Sequence, residues 1–283
     1  MDDSFISVRD EALSLMASSL YDPDHQLQVI AVEGYSKLLL HRIINSVEVI
    51  QGLLQLYLHP STAANVRLRQ ALTYFLQAFA FSRPQNQCLL AQAVVPVLKT
   101  TLSLAEHLVL TPLQLGLQLL DLCDPTHLIN NASTDEWHAP SVLAESLAWS
   151  AMESLEDPSQ LRLFTQLLTR MPLTASWPPI SLKRLLLITG QLVRVLPASE
   201  KALVAAIKKM IALLVEFDDV SLSLDPADLE QLKERLQSLH LPLISQSNQS
   251  AQSVAIKKKT TAASNKMVAD ANIMDEITDL LED

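Results

Sequence analysis

Hydrophobic residues return along this chain at the three-and-four spacing of an α-helix, and prolines and polar clusters interrupt them at short intervals. Phe5, Val8, Ala12, Leu15 and Met16 mark a first helix that Ser4 can cap and that ends near Leu20. Asp22-Pro23-Asp24 stops it and starts a second, with Asp22 as N-cap and Pro23 in the first turn. In that helix, which runs to about Ile44, Leu27, Ile30, Ala31, Leu38 and Leu39 are expected to form the apolar face. Ser46 opens a third, with Val49, Ile50, Leu53, Leu54 and Tyr57. After the His59-Pro60-Ser61 break a fourth is expected from Ala64 to Phe81.

The same punctuation marks helices over 84–107, 112–123, 140–155, 158–170, 179–196, 199–217 and 226–239, with a short piece at 124–129 and a loop over 130–136. No two segments read as paired strands. Helices of roughly 12 to 20 residues, paired across short turns, are the pattern of an α-solenoid. Leu27-Gln28 and Leu68-Arg69 hold matching places in the second and fourth helices, as do Ala31-Val32 and Ala71-Leu72. An offset of about 40 residues is the HEAT period. The expected fold is therefore all-α, a solenoid of HEAT-type helical hairpins over residues 1–244, with a globular helical bundle as the alternative.

From residue 245 the pattern changes. A Ser/Gln/Asn-rich stretch precedes Lys257-Lys258-Lys259, and near the end Ile273, Ile277, Leu280 and Leu281 fall at helical spacing among acids. Residues 245–283 are expected to be a disordered tail with a short acidic amphipathic end. Those four apolar residues bind a partner helix-fashion, or the segment is a plain solvated terminus.

Composition narrows the class. The chain has 283 residues, 49% hydrophobic but only 5% aromatic. Leu occurs 55 times and Gly 4 times, which excludes collagen and disfavours glycine-turned β-barrels. Thin solenoid layers packed by medium aliphatic side chains account for the many Leu and the few aromatic residues. Two cysteines, Cys88 and Cys123, cannot staple a secreted fold and suit buried thiols in a reducing compartment. The opening Met1-Asp2-Asp3-Ser4 lacks the basic and apolar parts of a secretory signal. The richest apolar region, Leu102 to Leu122, is too interrupted to span a bilayer.

Catalytic motifs are missing. Gly34, Gly52, Gly116 and Gly190 stand alone inside helices, where close packing is their usual purpose, and form no phosphate-cradling loop. His127 and His138 flank a loop holding Asp135 and Glu136, but without a metal-ligand spacing they read as ordinary surface residues. Thr111-Pro112 is a minimal proline-directed phosphorylation site and also an N-cap followed by an N1 proline; the cap is the favoured reading. Neither an enzymatic activity, a cofactor, a metal nor a small-molecule substrate is expected.

Charge position says more than the net charge of −10. Residues 49–105 contain no acid and carry +4, through Arg67, Arg69, Arg83 and Lys99. Residues 100–161 contain no base and carry −9. Residues 162–215 carry +7 and include Lys183, Arg184, Arg194, Lys208 and Lys209. On a solenoid, basic zones can track a phosphate backbone, and the acidic zone can receive a basic partner segment. Arg83, Lys99, Lys183, Arg184, Arg194, Lys208 and Lys209 are the DNA-binding candidates, set against the simpler reading of solvated surface cations. Arg67 or Arg69 is expected instead to pair between repeats with Asp22 or Asp24.

Several of these residues lie in stretches that resemble a known family. They are Ala31-Val-Glu-Gly-Tyr-Ser-Lys-Leu-Leu-Leu40 with His41-Arg-Ile-Ile44, then Leu53-Leu-Gln-Leu-Tyr-Leu-His-Pro-Ser-Thr62. Asn65-Val-Arg-Leu-Arg-Gln-Ala-Leu-Thr-Tyr-Phe75 and Asn86-Gln87 follow. In this order they resemble the C-terminal HEAT domain of the condensin regulatory subunits of the chromosome-associated protein G type, condensin subunit 3. The likeness covers about residues 25–100. Ala71 and Thr73 stand where the family pattern carries Cys or Ser, and Phe75-Leu76-Gln77 replaces its Phe-Phe-Pro.

The resemblance implies a non-catalytic subunit acting in mitotic chromosome condensation. Its partners would be the kleisin subunit and other condensin subunits, with DNA held in a basic groove and no membrane. Its place would be the nucleus and chromosome, with the cytoplasm outside mitosis. Full-length members are several times longer, so the chain resembles a C-terminal portion, and much of the family's DNA surface is expected N-terminal to it. The alternative is a HEAT- or armadillo-type adaptor of another class, a nuclear-transport or trafficking scaffold.

Overall fold

The computed structural model describes residues 3–103, 110–129, 137–217 and 224–239, and the side chains among these from residue 11 onward. Among them the chain forms eleven α-helices and no strand pair. They are α1 (Asp3–Ser19), α2 (His25–Leu40), α3 (Val47–Leu58), α4 (Val66–Ser82), α5 (Pro84–Leu102) and α6 (Pro112–Leu122). After these come α7 (Ala139–Glu153), α8 (Pro158–Leu168), α9 (Pro179–Val195), α10 (Lys201–Phe217) and α11 (Pro226–Ser238).

The helix starts follow from side chains that satisfy free backbone N–H groups. Asp24, Ser46, Asn65, Asp157 and Asp225 each accept from a first-turn amide. Thr111 and Gln114 form a reciprocal capping box in front of Pro112, as the cap reading expects. Prolines fill the first turn of α5, α6, α7, α8 and α11, where their missing N–H costs nothing. The second helix starts later than expected. Its N-cap is Asp24, while Asp22 accepts the Asp24 amide at 2.8 Å and closes the preceding turn.

The helices fall into two compact units, residues 1–178 and residues 179 onward. In the first, α2, α4, α6 and α8 pack side by side in one row and α3, α5 and α7 in a second row laid against it. This is the two-layer repeat of a HEAT solenoid, in which each hairpin buries only what its neighbours cover. The central row explains the composition. In α5, Cys88, Leu90, Ala91, Ala93, Val94, Val95, Val97 and Leu98 are all buried, and α7 buries a similar share of its length. A helix enclosed on most sides must be apolar most of the way round. Each fully buried Leu or Val contributes about 1.5–3 kcal/mol.

The apolar face expected for α2 is partly corrected. Leu27 and Ile30 are exposed, Ile30 at 63%, and the buried residues are Val29, Ala31, Val32, Tyr35 and Leu39. Helix α2 contacts both α1 and α4, so its packed side is turned from the stripe that spacing alone suggests. Two glycines do permit close packing. A Cβ on Gly34 would meet Met16 Cε at 2.7 Å, and one on Gly116 would meet Leu167 of α8 at 2.6 Å.

In the second unit α9 packs on α10. Leu182, Leu185–Leu187, Ile188 and Leu192 of α9 are buried, as are Leu203, Ile207, Met210 and Leu214 of α10 and Leu232 and Leu236 of α11.

Candidate functional site

The basic residues separate into those used inside the fold and those presented to solvent. Lys99 at the end of α5 reaches Glu153 of α7, with 2.7 Å between Nζ and Oε2, and so ties two helices of the central row. Arg67 of α4 pairs with Glu33 of α2 at 3.2 Å. The expected repeat-to-repeat pair therefore has a different acid. Asp22 and Asp24 are turned to backbone amides at the start of α2, which leaves Glu33, near the middle of the helix, as the carboxylate facing α4. Arg69 lies over the Tyr57 ring of α3, 5.3 Å from its centroid, a cation–π contact.

Arg83 is exposed at the junction of α4 and α5. In the second unit, Arg184 of α9 pairs with Asp228 of α11 at 3.0 Å, and Lys183 beside it is half-buried. Arg194, in the last turn of α9, sits where a cation complements the helix dipole. Lys208 and Lys209 are exposed on α10, on the side away from buried Ile207 and Met210. Of the seven candidates for phosphate contact, Arg83, Lys208 and Lys209 thus stand fully at the surface. The amphipathic residues Ile273, Ile277, Leu280 and Leu281, and the whole of 245–283, lie outside the described residues.

Two open clefts lie among the described residues of the first unit. One, of about 410 Å³, sits where α3 and α5 end and is lined by neutral groups such as Gln28, Gln55, Thr100 and Ser103. The other, of about 440 Å³, runs between α4 and α6. Buried Leu58, Leu76, Leu115 and Leu119 give it an apolar floor, exposed Gln77 and Gln118 line it from α4 and α6, and Asp121 is its charged lining residue. Its walls belong to opposite charge zones. Helix α4 lies in the stretch without acids and α6 in the stretch without bases.

Both cysteines are inside the fold. Cys88 and Cys123 are buried as free thiols. Burial pushes Cys88 up to about 12; burial, and then the nearby Cys88, pushes Cys123 up as well. Among the described residues no three His, Cys, Asp or Glu side chains gather as metal ligands. His127 is exposed and meets the Phe81 ring edge-on. His138 is not the surface residue expected. It is buried, its Nδ1 accepts the Ser141 amide as the N-cap of α7, and its ring lies 5.2 Å from that of Trp177.

Gln87 has no role legible in the sequence beyond its place in a motif. Its amide, buried in α5, donates to the carbonyls of Leu122 at 3.1 Å and Asp124 at 2.8 Å, satisfying acceptors freed at the end of α6. The signal available was a polar Asn86-Gln87 pair heading an otherwise apolar helix.

Comparison with known proteins agrees with this architecture. A family model described as nuclear condensing complex subunits, C-terminal domain, matches residues 3–173. The human protein "Condensin complex subunit 3" is 27% identical over 172 residues, which cover 58% of this chain and 17% of the human one. The chain thus spans under a fifth of that relative's length. The fold is similar to that in the crystal structure of the S. pombe condensin Cnd3-Cnd2 subcomplex. That match has a TM-score of 0.66 and 20% identity, and it covers 76% of this chain and 29% of the other.

Proposed function

The chain belongs to the nuclear condensing complex subunit family, whose C-terminal domain its residues 3–173 match, and from that membership we propose that it is a non-catalytic HEAT-repeat subunit of a condensin complex. In this reading it binds the kleisin subunit, works on chromosomes in the nucleus, and helps to hold DNA during mitotic condensation. The supporting observation is a coincidence of boundaries. The family match ends at residue 173 and the first compact unit at residue 178, so the family's repeat region is a folded body of this chain. The related Cnd3 is found in a subcomplex with Cnd2, which supports a kleisin as partner.

Co-expression of the whole protein with the kleisin subunit of the same condensin tests the reading. The expected result is a stable complex that co-migrates in gel filtration. A protein that is helical by circular dichroism yet never co-migrates with the kleisin contradicts it.

A further inference from the structure

The cleft between α4 and α6 combines three properties that select an occupant. Its floor of buried leucines takes aliphatic side chains. Gln77 of α4 and Gln118 of α6 line it from exposed positions, and each amide offers both a donor and an acceptor, the complement of backbone carbonyl and amide groups. At the C-terminal end of α6, Asp121 is exposed on a helix whose surroundings in sequence carry no base from residue 100 to 161. Tyr57 of α3 also lines the cleft and carries the Arg69 guanidinium over its ring. The cleft therefore joins an apolar floor to one exposed acidic side chain.

We propose that this cleft docks an extended aliphatic segment of the partner protein, with a Lys or Arg of that segment set against Asp121. An extended segment sends alternate side chains to one face, so its aliphatic residues enter the floor while its backbone meets the two glutamines. A basic side chain of the segment is favoured beside Asp121. The proposal rests on the kleisin reading above and assigns that partner's contact to one place in the first unit.

The test uses the whole protein and the kleisin subunit, with binding measured by titration calorimetry. Asp121→Lys reverses the lining charge at an exposed position, and Gln118→Trp fills the cleft from an exposed lining position. Both are expected to weaken binding by about tenfold or more, while a control in the other cleft, Gln55→Ala, binds as the parent protein does. Circular dichroism melting confirms that each variant is folded. If Asp121→Lys and Gln118→Trp bind the kleisin like the parent, the cleft assignment is overturned and the kleisin reading stands. If the folded parent protein does not bind the kleisin at all, both are overturned.

Discussion

Gly116 of α6 lies against Leu167 of α8 so closely that a Cβ on it would sit 2.6 Å from Leu167 Cδ1 and 2.7 Å from Cδ2. In an exposed helix interior Gly→Ala stabilises by up to about 1 kcal/mol. Here overpacking of a buried leucine opposes that gain at about 1–3 kcal/mol. Gly116→Ala should therefore lower the urea midpoint. Gly34→Ala meets only the mobile end of Met16, so it should be neutral or stabilising. A stabilised Gly116→Ala would show that α6 and α8 are not in this contact.

The Arg67–Glu33 pair joins neighbouring helices of one row, but both side chains are open to water, at 75% and 41% exposure. Its coupling energy in a double-mutant cycle should be below about 1 kcal/mol and should shrink as salt rises. A coupling of several kcal/mol, insensitive to salt, would mean that the pair is far better shielded than this geometry allows.

The buried thiols give the stability a pH dependence at the alkaline end. A thiol whose ionisation is raised on folding keeps its proton where the unfolded chain has lost it. Its contribution is intact below about pH 8.5 and is lost as pH rises from there toward about 12 for Cys88. The decline should be at most about 1.4 kcal/mol per pH unit for each thiol. The serine variants Cys88→Ser and Cys123→Ser should flatten this slope, and in the native protein both thiols should resist alkylation at pH 8 until urea unfolds it. Rapid alkylation without denaturant would contradict the burial.

Legibility in the sequence follows the range of the interactions. Caps and N1 prolines are local, so Thr111-Pro112, Asp157-Pro158 and Asp225-Pro226 mark true helix starts. The α2 to α4 offset is carried by apolar residues that must repeat if the layers are to match, so it too was visible. Which side of α2 is buried was not, because that depends on where α1 and α4 lie. Pairing across helices was equally hidden. Glu33, not Asp22 or Asp24, meets Arg67, since both aspartates are turned to backbone amides, Asp24 as the N-cap of α2 and Asp22 in the turn before it. The cleft between α4 and α6 has no local signature. The switch from an acid-free to a base-free stretch is its one trace in the sequence, and only packing makes those two stretches into facing walls.

If the second unit holds DNA, Lys208 and Lys209 are the residues to change. They are exposed on α10, whereas Arg184 is engaged with Asp228, so its charge reversal would disturb the fold as well as the surface. A lysine on a phosphate adds affinity by releasing condensed counterions, at about 0.9 in the slope of log K against log salt for each contact. The double variant Lys208→Glu/Lys209→Glu should therefore weaken binding to duplex DNA of any sequence and reduce that slope by about 2. Fluorescence anisotropy across a salt series measures both. The thermal unfolding of the variant should match that of the parent protein, because neither side chain is buried. Unchanged affinity together with an unchanged slope would remove α10 from the DNA surface, however basic its sequence.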